Sequence, residues 1–328
     1  MTYFKYRILR LIPVFFLVTF ASFALLNILP GDVADAILGG TDVESGDSPE
    51  GILEARLEIR KELGLNQPIV VRYFAWLGNV MRGDFGESPI QIAPVWELVV
   101  ERLPVTLELL ILSILIALTI AIPAGIYSAV KADKISDRLI GTIAFGIVAM
   151  PPFLMAILFV FIFAVTLQFL PASGYVPIEE DLFENLRHYI LPATTIGLLE
   201  VPIFLRVLRV DLIATLQEDY IALAKAKGLS RTYILFNHAL RPSSFTLVTV
   251  LGLQFGFLIS GTVIIEQMFG LPGMGKLILE AIDARDAMLL QGAVTMIALA
   301  YVLINLIVDI LYGYIDPRVG QSERGKHG

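Results

Sequence analysis

Six stretches of this chain are predominantly apolar over some twenty residues or more: 8–29, 104–130, 139–170, 191–212, 243–265 and 290–312. A helix crosses the hydrocarbon core of a bilayer in ~20 such residues. Backbone amides in lipid must be satisfied within their own segment, so runs of this length are read as helices. Strands of a membrane barrel would be about half as long and would alternate in polarity. The chain is therefore expected to be an all-α integral membrane protein with six transmembrane helices. Its charged fraction of 17% and mean hydropathy of +0.77 agree, since a soluble domain carries about 25% charged residues. The third run is long enough to tilt, or to end in a turn at Met150-Pro-Pro152.

Basic residues collect in alternate connections. Lys5, Arg7 and Arg10 precede the first run, and Lys131, Lys134 and Arg138 follow the second. Arg206, Arg209, Lys225, Lys227, Arg231 and Arg241 surround the fourth connection, and Arg318, Arg324 and Lys326 lie in the tail. The other connections are acidic, as at Glu179-Glu-Asp181. The bias of Lys and Arg toward the cytosol then makes both termini cytoplasmic. The pI of about 5.1 belongs mostly to the outward loops and gives no sign of nucleic-acid binding. The first run is read as a retained helix, because its apolar core is longer than the ~7–15 residues of a signal peptide. The chain has no cysteine, which excludes disulfides and thiol chemistry.

Three regions follow. Residues 1–103 are the first helix plus an extracytoplasmic loop region, 104–313 a core of five helices, and 314–328 a cytoplasmic tail. Within the loop region, 39–51 reads as a Gly/Asp/Ser/Pro-rich loop. Residues 54–63 have helical spacing stopped by Gly64, and 70–81 form a second short helix carrying Tyr73, Phe74 and Trp76.

The polar, basic segment 219–231 separates the fourth and fifth runs. It suits a short helix lying flat on the cytosolic surface against another protein. Ala222, Ala224 and Ala226 leave little bulk, so a partner can approach closely. Gly228 can take a left-handed conformation and end the helix, and Leu229 can then fill an apolar pocket. Lys225, Lys227 and Arg231 would face acidic groups or lipid phosphates. A solvated basic loop is the plainer alternative.

Two isolated polar residues sit deep in spans. Glu200 is costly there and must face a pathway or a partner; Gln254 is the candidate partner or a second pathway residue. The run Gly270-Leu-Pro-Gly-Met-Gly-Lys-Leu277 imitates a phosphate-binding loop but has Leu277 where Ser or Thr should hold magnesium. It reads as a tight extracytoplasmic turn or an ordinary connector. His188, His238 and His327 have no metal-ligand spacing, and no catalytic motif occurs, so neither a metal site nor an enzyme is expected.

Several ordered motifs share one resemblance. Pro30-Gly-Asp32 follows the first run; Glu62-Leu-Gly-Leu65, Tyr73, Trp76 and Gly83-Asp-Phe-Gly86 lie in the outer loop. Leu103-Pro-Val-Thr-Leu107, Glu266-Gln-Met-Phe-Gly-Leu-Pro-Gly-Met-Gly275, Arg285-Asp286 and Asp316-Pro-Arg318 come later. Together with Ala226-Lys-Gly228 they resemble the first permease subunit of the dipeptide/oligopeptide/nickel ABC-importer family. That resemblance implies the type I importer permease fold and half of a translocation pore in the plasma membrane of a prokaryote. The implied partners are a homologous second permease, two cytosolic ATPases that carry ATP and magnesium, and an extracytoplasmic substrate-binding protein. It assigns segment 219–231 to ATPase coupling. It also assigns Glu266, Pro272, Gly273 and Gly275 to a loop near the pore exit. Peptides are the default substrate, with nickel chelates, glutathione and sugars as alternatives. The broader family motif has Glu-Ala-Ala where this chain has Ala222-Leu-Ala224. A secondary transporter or channel, independent of ATP, is the rival; it would need its own coupling carboxylates and an internal repeat.

Overall fold

The computed structural model describes residues 12–21, 23–24, 57–58, 61 and 66–315, apart from the side chains of 260, 309 and 311–315. The expected loop 39–51, nearly all of the expected helix 54–63 and the tail from residue 316 lie outside the described residues. The chain divides into two compact units, residues 1–105 with 272–302 and residues 106–271 with 303–328.

The first unit contains helices α1 (Ile12–Ala21) and α2 (Ile69–Val80). They are joined by packing of Phe15 and Phe23 with Tyr73, Trp76 and Leu77. The Tyr73 hydroxyl shares a hydrogen bond of 2.9 Å with Thr19 Oγ1. A two-stranded antiparallel ribbon follows, β1 (Glu87–Ser88) with β2 (Ala93–Pro94); the sequence reading did not foresee it. The next helix, α3 (Val95–Val130), starts well before the apolar run at 104. Phe85, Val95 and Val99 pack against Met274, Leu277 and Ala281 of α10 (Met274–Asp283) and against Leu289 and Ala293 of α11 (Ala287–Ile315). Asp286 caps α11 by accepting from the Leu289 amide at 2.9 Å, and Ser88 Oγ donates to its other oxygen.

In the second unit, α4 (Ile135–Val148) and α5 (Pro152–Phe159) meet at a bend of 100°. The bend falls at Met150-Pro-Pro152. A residue before proline avoids the helical region, and Pro152 opens α5 where its missing N–H costs nothing. The third apolar run thus ends its straight course in a turn. A wide π-helical turn, Val160–Thr166, continues α5. Asp181 then starts α6 (Leu182–Leu216), its carboxylate accepting from the Phe183 and Glu184 amides. After α6 come α7 (Asp219–Ala226) and α8 (Arg231–Ile234). A π-helical turn at Leu235–Ala239 joins α8 to α9 (Leu240–Phe269). Helices α6 and α9 pack around Val201, Phe204, Leu205 and Leu247, with Ala117 and Ala121 of α3 in the same cluster.

Among the described residues three helices are long and apolar enough to cross a membrane: Val95–Val130, Arg231–Ile259 and Ala287–Val308. The bent pair Ile135–Val148 and Pro152–Thr166 makes a fourth if it counts as one span. The expected span 191–212 lies inside α6, and α1 covers part of the expected first span.

Candidate functional site

The segment between α6 and α9 is built from both ends of the second unit's helices. Helix α7 turns Ile221 and Ala224 inward, onto Ala129 at the end of α3, Leu212 of α6, Ile234 of α8 and Ala239 of the π-helical turn. Ile221 is fully buried and Ala224 only 7% exposed. Ala222, Lys225, Ala226, Lys227, Gly228, Leu229 and Arg231 are all exposed. One sequence expectation is thereby corrected: Ala224 does not face outward with Ala222 and Ala226. Its small side chain fits the chain's own socket.

Gly228 has φ +77°, the left-handed conformation. Its amide donates to the Lys225 carbonyl at 3.0 Å, and the Leu229 amide donates to the Ala224 carbonyl at 3.3 Å. These two bonds form a Schellman cap, which closes the last turn of α7 and throws Leu229 outward. Ser230 then caps α8, its oxygen accepting from the Tyr233 amide.

The outer face holds apolar side chains that the sequence reading passed over. Tyr220, Leu223, Tyr233 and Phe236 are each 44–56% exposed, beside Leu229 at 38%. Tyr220 and Leu223 stand one turn apart on α7, a spacing that could have revealed them. Exposed apolar side chains interspersed along the segment with Lys225, Lys227 and Arg231 have the character of a protein contact surface. Burial first, then the charge of Glu218, raises the Tyr220 hydroxyl above its ordinary pKa.

Beside the socket lies an ion pair between a buried carboxylate and a half-buried guanidinium, which no local sequence signal marks. Asp137, 6% exposed in the first turn of α4, accepts from Arg209 Nε at 2.8 Å and Nη2 at 2.6 Å. Ser128 Oγ and the Asp133 amide donate to the same carboxylate.

Glu200 and Gln254 do meet. Gln254 Nε2 donates to Glu200 Oε2 at 2.6 Å between α6 and α9, and Glu200 is 8% exposed. The hydrogen bond makes Gln254 the partner of Glu200. Glu266 is fully buried near the end of α9 and accepts from Thr106 Oγ1 at 2.7 Å. Gly270 ends α9 in the left-handed conformation, Gly273 begins α10, and Gly275 lies within it. Gly273 and Gly275 are buried and Pro272 is half-buried. The false phosphate loop is thus a corner between two helices, with no strand before it. Among the described residues no group of three or more His, Cys, Asp or Glu side chains could hold a metal ion.

Residues 121–321 match the family described as binding-protein-dependent transport system inner membrane component. Residues 1–110 match the N-terminal region of such membrane components. The chain belongs to this family. It is accordingly a permease component, a multi-pass membrane protein of a prokaryote. A peptide transport system permease protein of Brucella abortus (strain 2308) is 39% identical over 313 residues, covering 95% of this chain and 97% of that one. The glutathione transport system permease protein GsiC of Escherichia coli (strain K12) is 35% identical over 313 residues, with coverage of 95% and 97%. The fold is shared with a chain of the MetNI methionine ABC transporter in an inward-facing conformation. That likeness has a TM-score of 0.55 at 15% identity and covers 67% of this chain and 96% of the other.

Proposed function

We propose that this permease is one of two homologous membrane subunits of an ATP-driven peptide importer, and that α7 is the element through which a cytosolic ATPase moves it. The observation that carries the reading is the split burial of α7: Ile221 and Ala224 anchor it, while Leu223, Leu229 and the flanking lysines are presented outward. A connector between spans needs no such apolar outer face. The permeases named for peptide and glutathione transport support a peptide-like cargo.

In this reading the chain has six spans and cytoplasmic termini, and lies in the plasma membrane, the inner one in a Gram-negative cell. It supplies half of the pore and one coupling helix. Two ATPases hold ATP and magnesium, and an extracytoplasmic binding protein delivers the cargo. Closure of the ATPases around ATP drags α7 of each permease. The socket of α3, α6 and α9 ends transmits that pull, and the pore alternates between inward-facing and outward-facing states. Glu266 and the corner at 270–275 stiffen the outer side near the pore exit. Glu200 and Gln254 hold α6 to α9 at mid-span.

The test is reconstitution of the full complex in liposomes with labelled dipeptides, a longer peptide and glutathione offered in turn. Uptake should require ATP on the cytosolic side and stop when Leu223 is replaced by Glu. Uptake by this chain without ATPase subunits, driven by an ion gradient, would establish the secondary-transporter alternative.

A further inference from the structure

Asp137 receives four donors from three separate segments. Arg209 of α6 supplies two, Ser128 at the end of α3 one, and the Asp133 amide in the turn before α4 one. That fills the acceptor capacity of a carboxylate. The Asp133 amide reaches it because Asp133 itself takes φ +64°, an uncommon conformation for a residue with a side chain.

The segments so joined are the ones that hold α7. Ser128 precedes Ala129, and Arg209 lies one turn before Leu212; Ala129 and Leu212 are both walls of the α7 socket. Farther along α4, Ile140 packs toward the core. A crevice of about 610 Å³ runs between α4 and α6, lined by Asp137 and Arg209 as well as by Gly141, Phe145, Val148, Ile203 and Leu205. Across it the ion pair is the polar attachment of α4 to α6. From there α4 leads into the 100° bend and α5. With Asp137 buried and Arg209 half-buried, desolvation offsets part of the attraction; the better-attested use of such a pair is to specify one arrangement.

We propose that Asp137 and Arg209 are positioning residues that clasp α4 to the α7 socket, so that displacement of α7 by the ATPase carries α4 and the bent α4–α5 pair with it. The proposal rests on the coupling role assigned to α7 above. Loss of the clasp leaves the ATPases docked and cycling, while the bent pair no longer follows.

The experiment measures ATP hydrolysis and peptide uptake together, in liposomes holding the complete transporter. Asp137→Asn, Arg209→Gln, the double variant and Arg209→Lys are compared with the unaltered complex. The expected result is full retention of the ATPases, hydrolysis at or above the unaltered rate, and at least a tenfold fall in peptide carried per ATP. The double variant should be no worse than either single change, because the two side chains act as a unit. Arg209→Lys, which keeps the charge but loses the fork, should fall between. A purely structural role predicts that hydrolysis and uptake decline together, and that result overturns the proposal. So does an unchanged ratio of peptide to ATP. If Asp137→Asn prevents assembly, Ser128→Ala removes one donor and leaves the pair. An unchanged ratio there, or failed assembly in both, assigns the clasp to folding and also overturns the proposal. Failure of the unaltered complex to couple uptake to ATP counts against the role of α7 instead.

Discussion

Gly197 of α6 sits against the backbone of α3. A methyl group added there would lie 2.6 Å from the Ser113 carbonyl oxygen and 3.2 Å from Cβ and Cγ2 of Ile116. The Ser113 oxygen belongs to a helix backbone and cannot rotate aside as a side chain would. To regain contact at ~3.5 Å the two helices must part by roughly 1 Å. Overpacking of this kind costs about 1–3 kcal/mol, and each 1.4 kcal/mol is tenfold in an equilibrium. Gly197→Ala should therefore lower the melting temperature of the purified complex and its yield of correctly assembled subunits. Gly261 is the internal control: it lies in α9, and a methyl there meets nothing within 4 Å. Gly261→Ala should leave stability unchanged or raise it by about 0.5–1 kcal/mol through helix propensity. Adding Ile116→Ala to Gly197→Ala removes only the Cγ2 contact and leaves those to Ile116 Cβ and the Ser113 oxygen, so recovery should be partial. Thermal melting followed by scanning fluorimetry separates these outcomes. Equal melting of Gly197→Ala and Gly261→Ala would refute the close approach of α3 and α6.

Other expectations follow from single contacts. At Gly228 an added methyl meets nothing within 4 Å, so the cost of Gly228→Ala is that of a left-handed backbone, about 1–2 kcal/mol. Gly228→Val should insert normally yet lose the ATPases or uncouple them, whereas Gly228→Asn should be tolerated; equal behaviour of Val and Asn in a pull-down of the ATPases contradicts this. Glu200→Gln keeps a partner for Gln254 and should be mild, while Glu200→Leu leaves the half-buried Gln254 amide unpaired, at a cost of up to about 1–3 kcal/mol. Glu200→Lys should block assembly, and normal yields of all three would remove the pair's structural role.

What could be read from the sequence was local. Bilayer thickness alone demands long apolar runs, so the positions of α3, α9 and α11 follow without any knowledge of their neighbours. The start of α3 at Val95 was hidden because its first turns carry Glu97, Glu101 and Arg102 outside the apolar run. Met150-Pro-Pro152 marked a turn through proline's own restrictions; the 100° angle depends on packing and was not visible. Gly228 could be placed because a glycine after a short helix is a local signal. The orientation of the alanines was misjudged: residues two apart on a helix point roughly opposite ways, so Ala222 and Ala224 could not share a face. The pairs Glu200–Gln254 and Asp137–Arg209 join residues 54 and 72 positions apart. Gln254 was named as a partner only because a carboxylate in a span needs one. No periodicity pointed from Asp137 to Arg209, since a lone acid among Lys131, Lys134 and Arg138 looks like an ordinary basic connection.

The central claim is that the outer face of α7 meets the ATPase, and the absence of cysteine from the chain makes the direct measurement simple. Leu223, 56% exposed on α7, is replaced by cysteine, and Ile264, 51% exposed on α9, is replaced in a second variant as a control. Each purified, transport-active complex is treated with a short thiol-reactive cross-linker. The account predicts that Leu223→Cys joins this chain to the ATPase subunit and that Ile264→Cys does not. An active complex in which Leu223→Cys forms no cross-link to the ATPase, or is labelled from outside intact cells, would contradict it.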